Sequence, residues 1–460
     1  MPSGVRDLTV TPQALSLARH DTLRLRTVIV NEVGDTLTGI AIDFHSNNTG
    51  VVTVDAFGLV RSVGPLGSTT ITVTAAGIER TVSATVFGVP GVFTLTPTDT
   101  FMFQGGAVQL TATLLDTGGI VIPGATVTYT ATGPVSVNTT ALVTSLGPAG
   151  EASVSANYPP YFVTARIHVL DTALAGRVGA VGHPAAVAVS RTGTALVTRE
   201  LAVFLTRINL PSISAASQIR VPRGLSAVAF DTTGDHAYAL DPTGKVHVVD
   251  LSSDLDVDSF PTSGVPTADV VTQDNLQLLV ATSADSVVRY DRVSLAEIGA
   301  FGVPAVVSAI VRHPSNPALL YLALPDSGLV LEYDIAGDSV RRRLPLGGAP
   351  ARLAVAPDGS ELYAADRTVA SVRVWNLVAN TALATIPVGV PPADIDVSPS
   401  GARIWISART QGQVKEIDQA TRAIVRTVTT SGAPRGLAVS RLDGKAVVAN
   451  DSGWVDVIKP

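Results

Sequence analysis

Residues 348–389 read GAPARLAVAPDGSELYAADRTVASVRVWNLVANTALATIPVG. Four short apolar runs follow one another here, marked by Leu353 and Val355, Leu362 and Tyr363, Val372 and Val374, and Leu383 and Ile386. Runs this short, rich in Val, Ile, Leu and Tyr and separated by turn residues, predict antiparallel strands rather than helices. Pro350 has no N–H to give to a ladder and suits the first position of a strand. Ala356-Pro357-Asp358-Gly359 presets φ at Pro and frees it at Gly, which predicts a tight turn.

The same unit recurs. Pro350 has counterparts at Pro184, Pro222, Pro266, Pro304, Pro392 and Pro434, at spacings near forty residues. Gly359 has counterparts at Gly193, Gly234, Asn275, Asn316, Gly401 and Gly444. Between each pair lies a related strand: AVAVS, SAVAF, DVVT, SAIVR, RLAVA, DIDVS and GLAVS. Four strands per forty-residue period is the pattern of a β-propeller, and seven copies predict seven blades.

A ring of blades has to close, or two strand edges stay open. The seventh copy ends after its third strand, at 454–460. Asp171-Thr172-Ala173-Leu174-Ala175 matches the fourth-strand lead-in Asn380-Thr381-Ala382-Leu383-Ala384. The expectation is that residues near 172–181 pair with those near 453–458 and seal the ring.

The Gly-x-Pro lead-in, the Pro-Asp-Gly turn and strands such as Leu362-Tyr363-Ala364-Ala365 and Val447-Val448-Ala449-Asn450 resemble the YVTN-type β-propeller repeat over roughly 171–460. The lead-in to the second blade lacks the glycine before Pro222. That resemblance implies a secreted or surface protein of bacteria or archaea, and carries no particular activity.

Ahead of the repeats, residues 1–87 alternate polar and apolar residues in short strands, as at Leu23 and Leu25, Val52 and Val54, and Ile71 and Val73. Turn signals sit at Gly34, Gly58 and Gly67. This predicts a β-sandwich. SNNTGVVTVDAFGLVRSV, residues 46–63, resembles the group-2 bacterial immunoglobulin-like domain, with Phe44 as its leading aromatic. Residues 88–170 open with Phe93-Thr94-Leu95-Thr96-Pro97, echoing Leu8-Thr9-Val10-Thr11-Pro12, and predict a second sandwich. Its segment 122–127, IPGATV, resembles one common in bacterial immunoglobulin-like modules. The expected fold class is therefore all-β: two immunoglobulin-like sandwiches (1–87, 88–170) followed by a seven-bladed propeller (171–460) closed by its own end strands.

Composition narrows the function. Apolar residues make up 46% and charged residues 15%, which fits a well-buried chain and excludes disorder. A net charge of -6, with no basic run longer than Arg341-Arg342-Arg343, gives no footprint for a nucleic-acid partner. There are no cysteines, so neither disulfides nor thiolate metal sites form. No apolar run reaches membrane-helix length. Residues 1–7 show no secretory leader pattern, which keeps a virion alternative open beside an extracellular one.

The candidate sites are few. Asp254-x-Asp256-x-Asp258 looks like the start of a calcium loop, but Ser259 stands where such a loop needs glycine. The plainer reading is an outermost strand with three carboxylates on one face. Arg341, Arg342 and Arg343 fall on another outermost strand. A basic edge and an acidic edge on neighbouring molecules could join head to tail into a filament or ring. Arg223, Arg352, Asp394 and Arg435 sit in the lead-ins near one face of the propeller, where an anionic ligand could enter. Ordinary loop solvation is the simpler account of them. The histidines follow no metal-binding spacing, and no nucleophile elbow or phosphate loop is present. No catalytic residue, cofactor or metal is expected. The first expectation is a non-enzymatic extracellular or cell-surface binding protein, with the sandwiches as stalk and the propeller as head. Its partner would be a protein, a surface glycan or further copies of itself. The alternatives are a structural subunit of a filament, surface layer or virion, and a lactonase-like propeller enzyme.

Overall fold

The computed structural model describes residues 4–222 and 224–460, and the chain is all-β. Among the described residues there is no α-helix, only the short 3-10 turns Pro325–Ser327 and Arg409–Gln411. Two compact units form: Met1–Leu146 with Ala152–Ile167, and Gly147–Glu151 with His168–Pro460.

The first unit contains one strand plan twice. In the first copy Val5–Thr11 pairs with Arg26–Asn31, Ala14–Ala18 joins a four-stranded sheet through Ile78–Phe87, and Thr22–Arg24 joins a three-stranded sheet. In the second copy Pro90–Thr96 pairs with Thr111–Asp116, Asp99–Phe103 joins a four-stranded sheet, and Ala107–Gln109 a three-stranded one, in the same strand order. Alternation drives the burial. Along Ile78–Phe87 only Val82, Ala84 and Val86 point inward, and they meet Leu8, Leu15, Leu17, Ile71 and Val73.

The second unit is propeller-like. It consists of seven four-stranded antiparallel sheets, numbered I to VII and spanning residues 184–220, 227–261, 266–302, 309–344, 350–387, 394–429 and 434–458. Sheet VII takes its fourth strand from the start of the region: Leu174–Gly179 pairs antiparallel with Trp454–Ile458. The first strands touch their neighbours in sequence order, and the first strand of VII touches those of both VI and I.

Seven apolar clusters fill the seven gaps between adjacent sheets, including the gap between VII and I. Because both faces of a sheet are covered, the second strands read as nearly continuous apolar runs, and Leu319–Leu324 (LLYLAL) is buried throughout. Within sheet V, Leu362 and Ala364 face the cluster shared with IV, while Tyr363 and Ala365 face the cluster shared with VI. At about 25 cal/mol per Å² of apolar surface, this two-sided burial is the main term holding neighbouring sheets together.

Each of the seven fourth strands carries a register shift against its third strand. In sheet II the shift falls between Asp256 and Asp258, so the expected row of three carboxylates on one face does not exist. A bulge adds one residue on one strand and breaks the period of two on which that expectation rested.

Candidate functional site

The first strands and the turns after them enclose an axial cavity of about 820 Å³. Backbone polarity is a problem at its wall. The first strand of each sheet pairs on one side only, so its other edge would be left bare. Side chains from neighbouring sheets cover much of it. The Leu437 and Val439 N–H groups donate to Asp394 and Asp396 of sheet VI at 2.8 and 2.7 Å. Thr267 donates to the Val307 carbonyl at 2.6 Å, Ser308 to that of Ala351 at 2.9 Å and Ser407 to that of Arg435 at 2.8 Å.

Charged groups border the cavity from several sheets: Arg191, Asp231, Asp269, Arg312, Asp396 and Arg441. Most are already engaged. Arg441 donates to Asp396 at 2.9 Å and also reaches the Val397 carbonyl. Asp231 closes its own turn, accepting from Gly234 N–H at 2.6 Å and from Thr233 at 2.9 Å, with Arg292 at 3.6 Å. His313 accepts two turn N–H groups at Nδ1, from Ser315 and Asn316, and burial holds its pKa down. Its ring lies against Gly359, where a Cβ would come within 2.5 Å of it and where φ is +75°. That turn needs glycine for both reasons.

Two groups stand apart. Asp269 has a buried Oδ2 with no hydrogen-bond partner, and burial pushes its pKa up to about 8. A carboxyl in that setting keeps its proton at neutral pH. Arg312 donates through Nη1 to the Val271 carbonyl at 3.1 Å and has no carboxylate partner among the described residues.

The lead-in residues occupy the opposite end of the same strands. Arg352 donates to the Ser308 carbonyl at 2.7 Å and lies 3.9 Å from Asp394. Burial raises the Asp394 pKa to about 6. Arg435 pairs with Glu200 at 2.6 Å. The structure thus brings Arg352 and Asp394 together and sends Arg435 elsewhere; Arg223 lies outside the described residues.

The outer-edge candidates are mostly engaged within the chain, which corrects the picture of two open charged edges. Asp254 accepts from Arg207 of sheet I at 2.6 Å, and Asp256 accepts from His247 at 2.8 Å, raising the His247 pKa. Arg342 donates through Nε to the fully buried Glu332 at 2.9 Å, and Arg341 lies 3.5 Å from the same carboxylate. Asp258 and Arg343 are exposed, with no ion-pair partner among the described residues.

Sequence reading also missed a set of clamps. Arg207, Arg342 and Arg426 stand beside the bulges and reach forward to the Leu251, Leu377 and Lys459 carbonyls of the next sheet, at 2.8 to 2.9 Å. At the seam, Arg177 bonds the fully buried Asp456 at 2.6 Å and lies 4.3 Å from the Trp454 ring centroid. A second cavity of about 780 Å³ lies between sheets VI and VII beside Trp405. There Glu416 is gripped by Arg403 and Arg426, at 3.0 and 2.6 Å.

Among the described residues no group of three or more His, Asp or Glu is placed to hold a metal ion, and no helix is long and apolar enough to cross a membrane. No family model matches the chain, and no curated protein matches it. Among solved structures, the chain is similar to hydrazine synthase of Kuenenia stuttgartiensis. The TM-score is 0.55 at 16% identity, covering 60% of this chain and 96% of that one. At that identity the likeness speaks for a propeller-like fold alone.

Proposed function

We propose that the chain is a non-enzymatic extracellular or cell-surface binding protein. In this reading the second unit is a closed seven-bladed propeller of the YVTN-repeat kind that serves as the interaction head. The first unit is a pair of immunoglobulin-like sandwiches that serves as a stalk. The observation that carries it is how the ring spends its charge. Carboxylates and arginines go into fastening blade to blade, while the axial cavity keeps an open polar mouth. That is the economy of a rigid recognition surface, in which a pre-ordered head loses little entropy on binding. The outer edges, each broken by a bulge, favour this reading over a self-assembling filament subunit.

The test pairs binding with turnover. The purified protein is expected to bind intact bacterial cells saturably, with binding reduced when surface polysaccharide or surface protein is stripped. It is expected to show no activity on lactone, ester or polyuronate substrates with calcium, magnesium, manganese or zinc added. Turnover that scales with protein concentration and is lost on altering Asp231 or Asp396 would replace the reading with an enzymatic one.

A further inference from the structure

Arg191 follows the last residue of its sheet's first strand, and Arg441 occupies the same place in sheet VII. Arg441 has Asp396 as its counterion. Arg191 borders the same cavity, is exposed, and has no ion pair or hydrogen bond among the described residues. Arg312 reaches the cavity from sheet IV, three sheets further round, with only the Val271 carbonyl as partner. Burial is the larger cause of a lowered Arg312 pKa, and the charge of Arg191 adds to it. The two guanidinium groups therefore feel each other across the mouth with no carboxylate between them.

The cavity's own acids do not supply the missing charge. Asp231 and Asp396 are saturated by turn N–H groups and arginines, and Asp269 holds its proton. Two like charges held together without a counterion cost free energy that an oxyanion would recover, and a guanidinium fork offers paired N–H donors to one.

We infer that Arg191 and Arg312 form an oxyanion site at this mouth of the axial cavity, suited to a phosphate or sulfate group. The site does not depend on the cell-surface reading, because it rests on the two arginines and the cavity alone. The group could be a free inorganic ion or the end of a larger phosphorylated or sulfated molecule, since only the tetrahedral oxyanion is recognised.

The full-length protein should be titrated with sodium phosphate, sodium sulfate, glucose 6-phosphate and dextran sulfate, each against sodium chloride at matched ionic strength, by thermal shift and calorimetry. Phosphate or sulfate is expected to raise the melting temperature beyond chloride. Tighter binding of the two larger probes than of the inorganic ions assigns the site to a bound molecule's end group; equal or weaker binding assigns it to the free ion. Arg191→Gln, on an exposed turn, and Arg312→Gln are each expected to weaken binding about tenfold or more. Arg343→Gln, on an outer edge, is expected to leave it unchanged. The inference falls if none of the oxyanions outperforms chloride, or if Arg191→Gln binds like Arg343→Gln. The Arg191 variant decides the matter even if the Arg312 variant does not fold.

Discussion

The two edges of each sheet in the ring solve one problem in opposite ways. The first strand faces the axis and the fourth faces outward, and both have an unpaired side. At the axis, Asp394, Asp396, Thr267, Ser308 and Ser407 reach across to satisfy a neighbour's backbone. At the rim the ladder is instead broken by a bulge in every sheet, and side chains such as Leu383 and Val425 stand exposed. The inner edge is crowded, so another sheet is always within reach. The outer edge has no neighbour, and only local distortion can deter a passing strand. Bonds at the axis should therefore carry stability, and rim side chains should carry almost none.

The largest expected effect tests the one place where the rim is structural. The outer strand of sheet VII is Leu174–Gly179, and its Arg177 meets Asp456 with both side chains essentially out of solvent. Arg177→Met leaves a buried carboxylate without its cation and is expected to cost about 3–5 kcal/mol in urea unfolding. A loss under about 1 kcal/mol would mean that this strand is held by apolar packing alone.

Next comes the axis itself. Asp396→Ala removes the acceptor for Val439 N–H and the counterion of Arg441, and is expected to cost about 2–3 kcal/mol. Asp258→Ala, on an outer strand, is expected to cost less than about 0.5 kcal/mol. Equal losses in the same unfolding assay would erase the distinction between the edges.

These contrasts also mark what could be read from the chain. The all-β class and the propeller-like plan follow from the Pro350 and Gly359 series, because turn chemistry is local and repeats. The fourth strand of sheet VII could be sought near Asp171 because that segment copies Asn380–Ala384, and Leu174–Gly179 does lie beside Trp454–Ile458. The bulges were not legible. They depend on twist at a free edge, and no residue type marks them: Val257, Ile298, Leu383 and Val425 all sit at the shifts. Missing the bulge put Asp254, Asp256 and Asp258 on one face. Arg191 and Arg312 were missed for another reason. Their repeat columns vary from sheet to sheet, with Thr232, Gln273, Pro357 and Pro399 at the column of Arg191. Their meaning exists only once the ring brings sheets I and IV to one mouth.

Asp269 gives the third test, through pH. Its folded-state pKa of about 8 lies well above the ordinary value near 4. The fold thus prefers the protonated form, so this residue's stabilisation is complete below about pH 4 and is lost as pH rises towards 8. Asp269→Asn removes the ionisation. It is expected to match the parent near pH 4 and to exceed it by about 1–3 kcal/mol at pH 8, by thermal unfolding across that range. Parallel pH curves for the two proteins would show that Oδ2 is solvated, and that the axial wall is less dry than its packing indicates.

The smallest effect tests the rim directly. Leu383 and Val425 are 46% and 52% exposed at equivalent bulges of sheets V and VI. Replacing both with threonine keeps strand propensity and removes apolar surface already in water. Little transfer free energy is at stake, and the change in stability is expected to stay within about 0.5 kcal/mol. The sedimentation coefficient should not change with concentration in either protein, because a strand kinked at these positions is a poor template for pairing. If the parent associates at high concentration and the double variant does not, the bulges expose a contact surface instead of protecting an edge. The rim would then join the axis as a working part of the molecule, and a self-assembling role would displace the binding head proposed here.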